Sequence, residues 1–204
     1  MTHDLNSVKS DRAYHHGALR PALIAAAEAV LEERGTHGFS LREAARRAGV
    51  SPAAPAHHFG DAAGLLTAVA AGAFRDLGDA LEAAEPAGGR EARIRAQGIA
   101  YVRFALANRA RFDLMWRAAL LDRDDPDYAA AASRAFLLLD RAARGGEGAA
   151  QSPGGPETAP SIACWSMVHG FARLALDGGF GTLPGAAEAA ADALLPAVLD
   201  HLRV

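Results

Sequence analysis

Residues 40–59, SLREAARRAGVSPAAPAHHF, set two short helices around a glycine. Ser40 and Glu43 stand at S-x-x-E spacing, the capping box in which a serine hydroxyl accepts the amide of position 43 and the glutamate reaches back to the cap. The pattern predicts a helix from Leu41. Leu41, Ala44, Ala45 and Ala48 recur at helical spacing, and Gly49 supplies the unhindered backbone that closes such a helix. Ser51 and Pro52 repeat the start signal, a cap followed by a proline whose missing amide hydrogen has no helical partner to lose. Two helices joined by a tight, glycine-containing turn form a helix-turn-helix. The small side chains of Ala44, Ala45 and Ala48 let the second helix cross close against the first.

Upstream, Leu19, Leu23, Ala27, Val30 and Leu31 mark an amphipathic helix of roughly four turns that closes near Gly35, and Phe39 follows it into the core. These three helices make a domain of about sixty residues, near the lower limit for a self-sufficient core. The expected organisation is a helix-turn-helix domain over 14–64 and a larger helical domain over 65–204.

Downstream, Leu66, Ala70, Ala73, Leu77 and Leu81 form a long stripe that stops at the PAGG linker, 86–89. A further helix runs through Ile94, Tyr101, Val102 and Leu106 to Asn108. A short apolar helix carries Phe112, Met115, Trp116, Ala119 and Leu120. After the acidic turn DRDDPD, Tyr128, Ala132, Ala135, Leu139 and Ala142 mark another helix. Residues 145–160, rich in glycine, proline and small polar groups, are expected to form a flexible loop. Two last helices, about 160–177 and 185–203, are apolar on two faces. In the first, Trp165, Val168, Ala172 and Leu176 line one face, and Cys164, Met167, Phe171 and Leu174 another. Burial on two sides is expected of such a helix, and a homodimer through these two C-terminal helices supplies the second side.

The chain of 204 residues is 50% apolar and shows almost no period-two strand signal, so the expected class is all-α. No apolar stretch approaches the roughly 20 residues of a membrane span, and the N-terminal MTHDLNSVKS lacks an apolar signal region. No membrane partner and a cytoplasmic location are expected. A single cysteine, Cys164, has no internal disulfide partner and agrees with a reducing compartment. A net charge of -3 argues against a wholesale polyanion binder, yet positive charge is concentrated locally. Lys9, Arg12, His15, His16 and Arg20 lie ahead of or on the first helix, and Arg42, Arg46 and Arg47 on the second.

No G-x-S-x-G, P-loop or H-E-x-x-H occurs, and no carboxylate pair sits at a pocket-facing helical repeat, so catalysis and a cofactor are not expected. The adjacent pairs His15, His16 and His57, His58 point about 100 degrees apart on a helix and make poor metal chelators.

In this layout the chain resembles the tetracycline-repressor-like (TetR) family of bacterial transcription regulators. Val50, Ser51, His58 and Phe59 match that family's V-S-x-x-x-x-Y-x-H-F helix. Trp165, His169 and Gly170 look like the subgroup named for those three residues, and Asn108, Arg111, Phe112, Leu114 and Met115 follow its N-P-A-R-F-x-L-M pattern. The resemblance implies a DNA-binding regulator, a repressor released by a small-molecule effector, whose dimer reads a pseudo-palindromic operator with the second helix of the motif in the major groove. Ser51, Pro52, Ala53 and Ala54 then lead into the groove, with His57 and His58 further on. Ser40, Arg42 and Arg46 join them from the preceding helix, and Lys9, Arg12, His15 and Arg20 from the N-terminal arm and first helix. The effector candidates are Phe104, Phe112, Met115, Trp116 and Phe136, with Trp165 and His169 on the penultimate helix. Two departures stand out. Ala56 replaces a phosphate-contacting tyrosine, and Ala62 and Ala63 stand where a lysine is usual. The alternative is a helical ligand-binding dimer with weakened or lost operator binding.

Overall fold

The computed structural model describes residues 16–84, 86, 88–145, 155–183 and 185–202, with side chains from residue 19 onward. Among the described residues there are ten α-helices and no strand. Helix α1, His16–Arg34, buries Leu23, Ala27, Val30 and Leu31. It ends where Gly35 takes a φ of 66° and its amide bonds to the Leu31 carbonyl at 2.8 Å, the left-handed geometry that glycine adopts without a Cβ penalty.

Helix α2, Leu41–Arg47, begins as the spacing predicts: the Glu43 amide donates to Ser40 Oγ at 3.4 Å. Only this half of the capping box forms, because the Glu43 carboxylate turns to Arg46 and Arg47. Gly49, at a φ of 70°, makes the turn, and the Val50 amide returns to the Ala45 carbonyl at 3.1 Å. Helix α3, Ala54–Phe59, starts later than Ser51 and Pro52 suggest. The Ala54 amide closes a turn onto the Ser51 carbonyl, and the buried Pro55 occupies the first helical turn. A second proline three residues on thus takes the role assigned to Pro52.

Helix α4, Ala62–Ala83, is capped by the Asp61 carboxylate, which accepts the Gly64 amide at 2.9 Å. It is the central rod: Leu66, Ala70, Ala73, Leu77 and Leu81 are buried, and it packs on α1, α3, α5, α6 and α7. Helix α5, Arg90–Ala107, leads through Asn108 into α6, Arg109–Met115. Ala119 and Leu120 fall outside the short apolar helix predicted for them, in a 3-10 turn, Ala118–Leu120. Helix α7, Pro126–Ala143, runs to the loop expected over 145–160, most of which lies outside the described residues. Its described end is regular: Pro156–Thr158 form a 3-10 turn that feeds α8, Ala159–Leu176.

The last predicted helix is divided into α9, Ala186–Ala193, and α10, Leu195–Leu199. Pro196 is the physical reason, since proline lacks the amide hydrogen that would continue the ladder and its ring crowds the preceding turn. Of the two apolar faces read on α8, most is buried within this chain, including Cys164 and Phe171. Among the described residues the large apolar side chains that stay exposed are Ile162 and Leu174 on α8, Leu183 between α8 and α9, and Leu194 beyond α9. Ile162, Ser166, Gly170 and Leu174 repeat every four residues along one side of α8, and a Cβ built on Gly170 meets nothing within 4 Å. Among the described residues, no helix is long and apolar enough to cross a membrane.

Candidate nucleic-acid interface and ligand cleft

The exposed side of the helix-turn-helix carries Ser51, Pro52 and Ala53 in the turn before α3, then Ala56 and His57 on it. Ala54 and His58 are half-buried, and the two imidazoles meet edge to face at 5.4 Å. Arg20 holds α3 from below. Its guanidinium lies 4.5 Å over the Phe59 ring, and Nη1 donates to the His58 carbonyl at 3.2 Å. That cation–π contact and hydrogen bond give Arg20 a positioning role, with its donors partly engaged.

Cations on α2 are differently placed. Arg46 grips Glu43 with two bonds, at 2.7 and 2.8 Å, and Arg47 bonds both Glu43 and Glu33. Bonding from Arg46 and then Arg47 holds the Glu43 carboxyl down at about 2, against an ordinary 4.5. Arg42 is exposed and has no ion-pair partner among the described residues. Ser40 spends its hydroxyl on the cap, and Lys9, Arg12 and His15 lie outside the described residues.

Because the folded carboxyl titrates below the unfolded one, Glu43 contributes stability that is complete above about pH 4.5 and is lost as pH falls through about 2. Glu43→Gln should therefore unfold at lower urea than the parent at pH 7 and match it near pH 2. A gap that stays constant over this range would show that the network does not titrate.

The second site lies between α4, α5, α7 and α8, with Trp116 at one wall: a cleft of about 640 Å3. Three of the seven sequence candidates line it, namely Trp116, Phe136 and Trp165. Phe104, Phe112 and Met115 are instead buried core. His169 sits one layer behind. The Trp165 Nε1–H donates to the Tyr101 hydroxyl oxygen at 3.3 Å, leaving the hydroxyl proton for His169 Nδ1 at 2.9 Å. This arrangement selects the Nε2–H tautomer of a neutral ring. Burial, with Arg173 nearby, lowers the imidazole pKa and keeps that ring neutral at pH 7, while burial raises that of Tyr101.

Sequence reasoning passed over Phe74, Tyr101, Tyr128 and Arg123 as cleft residues. Tyr101 and Tyr128 were visible as members of apolar stripes, but no local signal separates a wall from a core. Cys164 is buried, which pushes its thiol up and away from reactivity. Among the described residues, no three His, Cys, Asp or Glu side chains gather as a metal would require.

Comparison with known proteins bears on both sites. Residues 23–69, which span the helix-turn-helix, match the bacterial regulatory proteins of the tetR family, and residues 94–198 match the tetracyclin repressor-like C-terminal domain. A Rhodococcus sp. RHA1 protein of unknown function is 36% identical; the match covers 92% of this chain and 98% of that one, with a TM-score of 0.69. The TetR family regulator PfmR of Thermus thermophilus shares the fold at 24% identity, 89% and 99% coverage and a TM-score of 0.64. Another tetR-family regulatory protein from Rhodococcus RHA1 does so at 21% identity, 90% and 96% coverage and a TM-score of 0.66. No curated protein matches. With both family models matched in order, one over half of the chain, and a 36% identical relative aligned over 92% of it, the protein belongs to the TetR family of DNA-binding transcription regulators.

Proposed function

We propose that this regulator is a repressor released from its operator by a small molecule bound in the cleft. The observation that carries this reading is the course of α4. Its cap, Asp61, directly follows α3, and its later turns bring Phe74, Leu77 and Leu81 to the cleft wall. A ligand that favours one placement of α4 therefore acts on α3 by differential binding to two states.

In this proposal the chain divides at 14–64 and 65–204, with α4 belonging to both. Ser51, Pro52, Ala53 and Ala54 face bases in the major groove, where small side chains suit thymine methyl groups, and His57 donates to a base or phosphate. Arg42 takes a phosphate. Arg46 reaches one only by sharing or leaving Glu43, and Arg20 acts mainly by fixing α3. The dimer forms through α8 and the two short helices after it, with Ile162, Leu174 and Leu194 at the contact.

A second reading is favoured by one observation: Ala56 is exposed on α3 where a phosphate-contacting tyrosine would stand, so the chain is a ligand-binding dimer with little operator affinity. An electrophoretic shift with the protein's own upstream DNA, at low and moderate salt, separates the two. A specific band that weakens only modestly with salt is expected, because every phosphate left without a cationic partner takes about 0.9 from the log–log salt slope. No specific band at either salt would sink the repressor reading and leave the second.

A further inference from the structure

The cleft has a direction. Its aromatic side chains form a row: Tyr128 to Phe74 at 5.5 Å, Phe74 to Trp116 at 5.6 Å, Trp116 to Trp165 at 5.4 Å, and Trp165 to Phe136 at 6.3 Å. The row leaves α7 at Tyr128 and returns to it at Phe136, about 12 Å further along the helix at 1.5 Å per residue. Toward Phe136 the lining is mainly hydrocarbon, with Leu137, Leu139 and the α4 leucines, and Ser133 supplies one hydroxyl between the two ends. Toward Tyr128 it becomes polar, and the groups there donate. Arg123 lines the cleft from the turn before α7 and has no ion-pair partner among the described residues. Tyr128 contributes a phenol beside it. Midway along the row, the Trp116 Nε1–H is buried with no acceptor among the described residues and is closed off from the cleft itself.

At the Tyr128 end the donor that faces the cleft without an ion-pair partner among the described residues is Arg123. The Tyr101 hydroxyl, also on the cleft wall, donates to His169 and accepts from Trp165. No carboxylate lines the cleft. In the turn around Arg123, Asp122 accepts the Asp124 amide at 3.0 Å and Asp125 accepts the Tyr128 amide at 2.9 Å.

From this polarity we infer that the cleft takes a ring-bearing apolar carboxylate, its acid head at Arg123 and Tyr128 and its body along Trp116, Trp165 and Phe136. The inference rests on the reading of the cleft as the effector site and adds the chemistry of what fills it. About 640 Å3 lies within the roughly 300–1,000 Å3 of cavities that enclose drug-sized ligands. A carboxylate answers the guanidinium and phenol with charge-assisted bonds, whereas an ammonium brings donors to donors. Planar or alicyclic rings suit walls made of ring faces and edges.

Both tryptophans of the chain stand in this wall, so tryptophan emission reports occupancy of the cleft. Cyclohexylbutyrate, the matching alcohol and the matching amine, none of which absorbs in the tryptophan band, are titrated into the full-length protein while emission and melting temperature are followed. The carboxylate should bind about tenfold or more tightly than the alcohol, which corresponds to one charge-assisted bond, and the amine most weakly. Arg123→Gln, at an exposed position, should abolish the preference for the acid while leaving the alcohol unchanged and the melting temperature of the free protein unmoved. Tyr128→Phe should weaken only the acid. Equal binding of acid and amine, a preference that survives Arg123→Gln, or no binding of the acid would each overturn the assignment. The effector reading fails differently: a ligand that binds as described but leaves operator affinity unchanged in the shift assay removes the regulatory role and keeps the site.

Discussion

Phe112→Ala is expected to lower unfolding stability by about 3–5 kcal/mol, the cost of emptying a large aromatic from a tight core. Phe112 is fully buried, and its ring meets Tyr101 at 5.8 Å, Trp116 at 6.0 Å and His169 at 5.5 Å. Two cleft-lining rings and the histidine behind them thus lean on one side chain. Urea unfolding at matched protein concentration is the appropriate measurement, because a dimer's apparent stability depends on concentration. Phe112→Leu should recover most of the loss. A cost below about 1 kcal/mol for the alanine would mean that the helices close over the gap, and that this ring is not what holds Trp116 and His169 in place.

The second large effect is expected at the exposed apolar side chains of the C-terminal helices. Leu174 is 56% and Leu194 47% exposed, and packing against a second subunit would take both from water. Introducing Leu174→Glu together with Leu194→Glu should convert the dimer to monomer in sedimentation velocity, with helix content retained, since neither side chain supports the internal core. Operator affinity should fall by at least about 100-fold, because two half-sites bound by unlinked subunits lose the high effective concentration of the second contact. Retention of the dimer would show that another face joins the subunits. If α8 joins the subunits as proposed, the open space over Gly170 leaves room for a partner's helix, and Gly170→Leu offers a milder perturbation of the same contact.

How much of this was legible in the sequence differs between the two sites, for a physical reason. The helix-turn-helix is written in local signals: the Ser40 cap, the Gly49 turn and the alanines between them act within a few residues, and α2 forms where they place it. The error at the start of α3 is of the same kind, since Ser51–Pro52 and Pro55 both carry start signals and only packing chooses between them. The Arg46–Glu43 pair stands at i,i+3 spacing and was visible in principle, although the capping-box pattern assigned the glutamate elsewhere. The cleft is non-local. Trp116, Phe136 and Trp165 were found because aromatic side chains at helical spacing are few in this chain, yet Phe112 and Met115 carry the same signal and turn out to be core. Whether a ring faces a void or a neighbour depends on helices distant in sequence. Arg123 was hidden for another reason, lying in an acidic turn that reads as solvated surface.

The salt-bridge network between α1 and α2 bears on how this regulator would find its site. Three guanidinium groups, from Arg34, Arg46 and Arg47, are gathered around the carboxylates of Glu33 and Glu43, so most of their field is cancelled within a few ångströms. Attraction to random duplex is set by uncompensated charge. Two of the network's three positive charges are offset by its two carboxylates, which weakens its share of the hold on non-target DNA and shortens one-dimensional sliding accordingly. Search would then proceed by many brief encounters in solution, with association rates that change little with ionic strength and a dwell time at the operator governed by the fit of α3.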